Sequence, residues 1–214
     1  NKLTDKLPAQ LMQEIISDNE DCRVFNLSVN SCLPSRIKHM SSWAATIDTL
    51  INEKNILFLI SAGNISISDA RGFGISHFIE NGKNYPDYLN ELYCRIANPA
   101  QSSFAITVGS INHISIDNDE FQSIGNHNDI SPFSRIGTGI WGMIKPDVVE
   151  YGGGLSISKT GNIVSIKNEL SPELVRSTLH GGSAIGNDIV GTSFATPKVS
   201  YIVSQLLKLY PEEN

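Results

Sequence analysis

The sequence is sparing in the features that would assign it quickly. Cysteine is scarce, with only Cys22, Cys32 and Cys94 among 214 residues. An odd number at these spacings fits neither a disulfide framework nor a metal-binding pattern. Free thiols suit a reducing compartment and so favour the cytoplasm, with a Cys22–Cys32 bridge across a strand as the alternative. None of the three stands beside a base in the sequence that would make it a nucleophile. Positive charge is in deficit, 16 Lys and Arg against 22 Asp and Glu. The net charge of −6 argues against a nucleic-acid partner, which calls for a basic face. No apolar run is long enough to span a bilayer, so no membrane partner is expected. Phosphate-cradling patterns are missing too. There is no Gly-x-Gly-x-x-Gly after a strand and no Gly-Lys-Ser/Thr, and no helical pattern follows Gly152-Gly153-Gly154, which sets aside a nucleotide-binding domain. There is no internal repeat. The chain opens Asn1-Lys2-Leu3-Thr4, without Met or a signal-peptide pattern, and this abrupt start reads as the edge of a piece of a longer protein.

What is present is a chain able to build a core. At 40% hydrophobic and 18% charged residues, 214 residues suit one folded domain. Leu7, Leu11, Met12, Ile15 and Ile16 recur at helical spacing over residues 7–18. Residues 22–29 form a short apolar run suited to a buried strand. Trp43, Ala44, Ile47, Leu50 and Ile51 predict a second helix over 41–54, and residues 55–60 predict a second strand. Strand, helix, strand with continuously apolar strands indicates a parallel sheet. Residues 65–97 are polar and irregular, too long for an ordinary connection, and read as an insertion or functional loop. Residues 104–109 predict a third buried strand, 115–130 a surface hairpin or loop, and 145–150 a shorter strand. A Gly/Ser/Asn-rich stretch covers 155–190. The resulting fold class is α/β, a parallel central sheet with helices on both faces.

The most informative stretch is Gly191-Thr192-Ser193-Phe194-Ala195-Thr196-Pro197. Small residues lead to Ser193, after which Ala195, Val199, Ile202, Val203, Leu206 and Leu207 predict a largely buried helix. Pro197 is expected in its first turn, where backbone N–H groups have no intrahelical partner. A serine at a helix start is ordinarily an N-cap. A hydroxyl there also sits where unpaired N–H groups and the positive end of the helix dipole converge, and these would stabilise an oxyanion formed on an attacked carbonyl.

The whole heptapeptide resembles the nucleophile motif of the subtilisin-like serine proteases (subtilases, peptidase family S8), Gly-Thr-Ser-x-Ala-x-Pro, with Phe194 in place of the usual Met. Ile60-Ser61-Ala62-Gly63-Asn64 is similar to the strand end that carries the family's oxyanion-hole asparagine. Val24-Phe25-Asn26-Leu27-Ser28-Val29-Asn30 resembles the strand whose end lines the primary specificity pocket, with Asn30 replacing a Gly, which implies a narrower or more polar rim. Asn98-Pro99-Ala100, Ile106-Thr107-Val108-Gly109, Ser131-Pro132-Phe133-Ser134 and Lys145-Pro146-Asp147-Val148 follow in the family's order. The resemblance covers about residues 7–211, with insertions at 65–97 and 155–190. It implies a subtilisin-like three-layer sandwich and a serine endopeptidase working through an acyl-enzyme. Ser193 would be the nucleophile and Asn64 an oxyanion donor. Ser28, Val29, Asn30, Ser61, Ala62, Gly63 and Thr192 would contact an extended peptide or protein substrate.

The family's Asp and His, which precede the strand at 22–29, have no counterpart. His39, His77, His113 and His127 lie in helix-flanking or loop positions. His180-Gly181-Gly182 matches the histidine motif only superficially, and Asp48-Thr49 reads as part of a helix face. The chain is therefore expected to be the C-terminal portion (1–214) of one peptidase domain, lacking the N-terminal strands that hold the Asp and His. It would be inactive alone, needing its missing N-terminal half or self-associating through an exposed sheet. A non-catalytic peptide-binding pseudoprotease is the alternative. No cofactor is expected. Structural calcium is frequent in the family, but its ligand loops are not recognisable, and the Asp/Asn-rich run 117–129 reads as a solvated loop.

Overall fold

The computed structural model describes residues 6–161, 163–167, 170, 172–175 and 189–211. Helix α1 (Pro8–Asp18) opens with Pro at its first position, and the Gln10 side chain accepts from the Leu7 N–H. Strand β1 (Val24–Leu27) leads through a loop to α2 (Ser42–Lys54). Ser41 caps α2 by accepting from Ala44 N at 3.1 Å, and Asn55 ends it in the left-handed conformation, φ 51°. Strand β2 (Leu57–Ser61) follows, then β3 (Ile106–Ile111) and, later in the chain, β7 (Val148–Tyr151). These four make one parallel sheet in the order β1-β2-β3-β7.

Alternation along β2 shows why the sheet is covered twice. Phe58 and Ile60 point into a core with Met12 and Ile16 of α1 and Ile47 and Leu50 of α2. Leu57 and Leu59 point the other way, with Val108, onto Ala195, Val199 and Val203 of the last helix, α4 (Thr192–Leu209). A strand buried on both faces must be apolar throughout, so the uninterrupted run at 56–60 carries the three-layer arrangement.

Three expectations are corrected by the packing. The stretch 65–97 is not simply irregular: it holds a short helix, α3 (Ile75–Glu80), and two 3₁₀ turns, and Ile65, Ile75, Phe78, Tyr88, Leu89 and Cys94 form a separate core with Phe133 and Leu155. Residues 145–150 do not form one strand. Pro146 cannot donate to a ladder, so Ile144–Lys145 (β6) pairs with Gly137–Thr138 (β5) and β7 starts afresh at Val148. The third concerns α4, which is not largely buried: Tyr201, Ile202, Leu206 and Leu209 are exposed. The 115–130 stretch contains β4 (Phe121–Ser123), which pairs with β8 (Ser156–Ser158), itself paired with β9 (Ile166–Lys167). Cys22, Cys32 and Cys94 are free, the last one buried. Among the described residues no helix is long and apolar enough to cross a membrane.

Candidate active site

The C-terminal ends of β1 and β2 and the N-terminus of α4 meet at one edge of the sheet, where parallel α/β folds open a crevice. Ser193 does not act as an N-cap. It lies inside the helix, and its Oγ donates to the Ser28 carbonyl at 2.9 Å across a sequence separation of 165. Pro197 is not in the first turn, as expected from sequence, but five residues beyond Thr192. Lacking an N–H, it leaves the Ser193 carbonyl without its normal i+4 donor. The Ser28 hydroxyl takes that place at 3.4 Å, so Ser28 and Ser193 are joined reciprocally.

Asn64 is aimed by its own carbonyl. Oδ1 accepts from Thr192 N at 3.0 Å and from Thr192 Oγ1 at 2.9 Å. That turns Nδ2 toward the start of α4. A Cβ added to Gly191 would lie 3.0 Å from Nδ2, a tight approach. Thr192, expected to touch substrate, is buried and holds Asn64. The preceding Gly63 has φ +97°, and a Cβ on it would meet Ala97 Cβ at 2.7 Å.

Behind this segment sits a group the sequence reading missed. Arg135 is 1% exposed. Its guanidinium donates to four carbonyls from three segments: Asn64 at 3.0 Å, Tyr93 at 2.6 Å, Arg95 at 3.0 Å and Cys32 at 2.9 Å. Burial pushes its pKa down from the usual arginine range. Its backbone N–H also donates to Gly63 O at 3.1 Å. Nothing in Phe133-Ser134-Arg135 marks that arginine as interior, because arginine usually lies at the surface.

The remaining expected residues converge as well. Val29 is exposed, whereas Ser61, Ala62 and Gly63 are buried. The Asn30 amide reaches Ser61. A hollow of about 290 Å³ adjoins Asn64, lined by Ile65, Ile67, Phe133, Leu155 and Val190. Among the described residues, no histidine is hydrogen-bonded to Ser193. His39 borders a separate hollow with Arg36 and Gln101, and His77 lies in α3 beside Asn81. His113 and His127 pack on Tyr151. His180 falls outside the described residues. Among the described residues there is no group of three or more His, Cys, Asp or Glu placed to hold a metal. The Asp/Asn-rich run is an ordered turn, with Asn118 Oδ1 accepting from the amides of Glu120 and Phe121.

A doubly covered parallel sheet with a serine and an asparagine amide gathered at its C-terminal edge defines an α/β protein of the hydrolase kind. The comparisons make this specific: the model of the subtilase family, Peptidase S8, matches residues 1–214, and the chain belongs to that family of serine proteases. A Sinorhizobium fredii protein called y4bN, described only as uncharacterized, is 33% identical over 220 residues, spanning 96% of this chain and 49% of its own length. Among solved structures, sphericase aligns at TM-score 0.51 and 15% identity over 95% of this chain and 49% of its own, a likeness of fold. The self-cleaved protease domain of PatA aligns at TM-score 0.49 and 17% identity over 99% of this chain and 56% of its own. The chain thus spans about half the length of these relatives.

Proposed function

We propose that this chain carries the nucleophile and oxyanion-binding part of a serine endopeptidase of the subtilisin type. Membership of the subtilase family supports the protease class. The observation that carries the finer reading is the double hydrogen bond from Thr192 to Asn64 Oδ1, which directs Nδ2 toward the first turn of the Ser193 helix. Ser193 Oγ attacks the substrate carbonyl carbon. The oxyanion is held by Asn64 Nδ2 and the Ser193 N–H, donors fixed before charge develops. The Ser193 proton passes to an imidazole, which returns it to the leaving amine, and water then hydrolyses the acyl-enzyme. That imidazole and its orienting carboxylate come from the N-terminal half of the same domain. The outer side of β1, unpaired among the described residues, is the place for that half to dock, because Ser28 follows directly from it and touches Ser193. Substrate lies extended along Ser28-Val29-Asn30 and Ser61-Ala62-Gly63, adding main-chain hydrogen bonds as a strand does.

A second reading, a peptide-binding protein without catalysis, draws on the Ser193 hydroxyl being donated to a backbone carbonyl. Fluorophosphonate labelling separates the two. The intact protein should label at Ser193 and this chain alone should not. Labelling of neither favours the non-catalytic reading, and labelling of the chain alone would reveal a base within it, with His180 the first residue to mutate.

A further inference from the structure

The Asn30 side chain lies across the groove between the two segments that the peptidase reading assigns to substrate. Ser28-Val29-Asn30 and Ser61-Ala62-Gly63 lie at the ends of neighbouring parallel strands, β1 and β2, and on the peptidase reading a substrate side chain enters between them. Asn30 Nδ2 occupies that gap, donating to Ser61 Oγ at 2.8 Å and to Ser61 O at 3.3 Å. Its Oδ1 lies 3.3 Å from the point where a Cβ on Gly63 would sit.

Depth is closed off as well. The same point behind Gly63 is 2.7 Å from Ala97 Cβ and 3.0 Å from Arg135 Cδ. Residues 97 and 98 tie the two segments together from behind, Ala97 N donating to Ala62 O at 2.9 Å and Ser31 N to Asn98 O at 2.8 Å. Arg135 cannot retreat without releasing the four carbonyls it holds. A large substrate side chain would have to displace Asn30, strip two hydrogen bonds from Ser61, itself 0% exposed, and leave buried polar atoms unpaired.

We propose that Asn30 is a specificity-determining residue that limits the side chain on the attacked carbonyl's residue to glycine, alanine or serine. The inference rests on the peptidase reading. A packed pocket separates side chains differing by one methylene by roughly 10–200-fold, so the preference for alanine over phenylalanine or leucine should reach about 100-fold in kcat/KM.

The test is cleavage of a peptide set by the intact protein, varied only at the residue before the scissile bond, with Ser193→Ala as the control for Ser193-dependent turnover. The wild type should favour Gly, Ala and Ser. Asn30→Gly should raise kcat/KM for Phe, Leu and Met peptides at least tenfold relative to the Ala peptide. Ser61→Ala, a milder change that removes one of the two acceptors, should broaden the profile partially, and it keeps the test decisive if Asn30→Gly fails to fold. Cleavage that is Ser193-dependent but favours large residues in the wild type, or a profile unmoved by either variant, would overturn the inference and leave the peptidase reading standing. Absence of any Ser193-dependent cleavage would overturn both.

Discussion

Asn64 owes its orientation to two hydrogen bonds from one threonine, so its role can be dissected atom by atom. Asn64→Ala removes the proposed oxyanion donor. On the peptidase reading it should lower kcat of the intact protein by about 10²–10³-fold, the loss that follows removal of the oxyanion-hole asparagine in subtilisin, with KM little changed. An effect confined to KM would count against the oxyanion role. Thr192→Val removes only the hydroxyl bond to Oδ1 and keeps the amide bond, so kcat should fall by a smaller factor. Arg135→Lys keeps a cation but cannot reach four carbonyls. It should cost at least about 2 kcal/mol of stability in urea unfolding, since buried acceptors lose their donors. That Ser193 and Asn64 come together was legible because each lies within a contiguous motif. Arg135 was not, and neither was Asp48, read as part of a helix face. Asp48 is buried and accepts from Ser102 Oγ at 2.5 Å and from the amides of Ser103 and Phe104 at 3.0 Å each. Both owe their burial to partners remote in sequence, and no local pattern encodes those.

Elements with one dominant periodicity were foreseen nearly to the residue. Helix α2 and strand β2 each obey a single local rule, 3.6-residue spacing in one and unbroken apolar character in the other. Where two constraints compete, local reading stops short. The 65–97 stretch looks like a loop because its apolar residues recur without a period, yet they converge on Phe133 and Leu155 from elsewhere in the chain. Helix α4 has the pattern of a buried helix but only one sheet to lie on, which leaves Tyr201, Ile202 and Leu206 uncovered. Pro197 shows the same competition, since it interrupts the ladder of α4 and thereby frees the Ser193 carbonyl for Ser28. Pro197→Ala should restore the missing bond and raise stability by about 1 kcal/mol or more, read as a higher urea midpoint. A lower midpoint would show that the helix is already relaxed around the proline.

For the molecule as a whole, burial of the second core sets a limit on alkaline stability. Burial pushes the Cys94 thiol from its ordinary 9.0 up to about 12, and burial with the nearby Asp129 charge pushes Tyr85 from 10.0 up to about 12. The folded state then retains protons that the unfolded chain gives up. Stability should be level below about pH 9 and decline as the pH climbs toward 12. Thermal melts from pH 7 to 11 should show this fall, reduced in Cys94→Ala; a flat profile would refute it. A thiol reagent should modify the exposed Cys22 and Cys32 at once and Cys94 only on unfolding. Chain order adds a consequence for synthesis. Asn64 and Thr192 are 128 residues apart, and Ser28 and Ser193 are 165 apart. At ribosomal rates of about 5–20 residues per second, Ser28 is made on the order of ten seconds before Ser193. The crevice segments that follow β1 and β2 therefore leave the ribosome well before Ser193, and the reciprocal contact between Ser28 and Ser193 can close only once the start of α4 has been made.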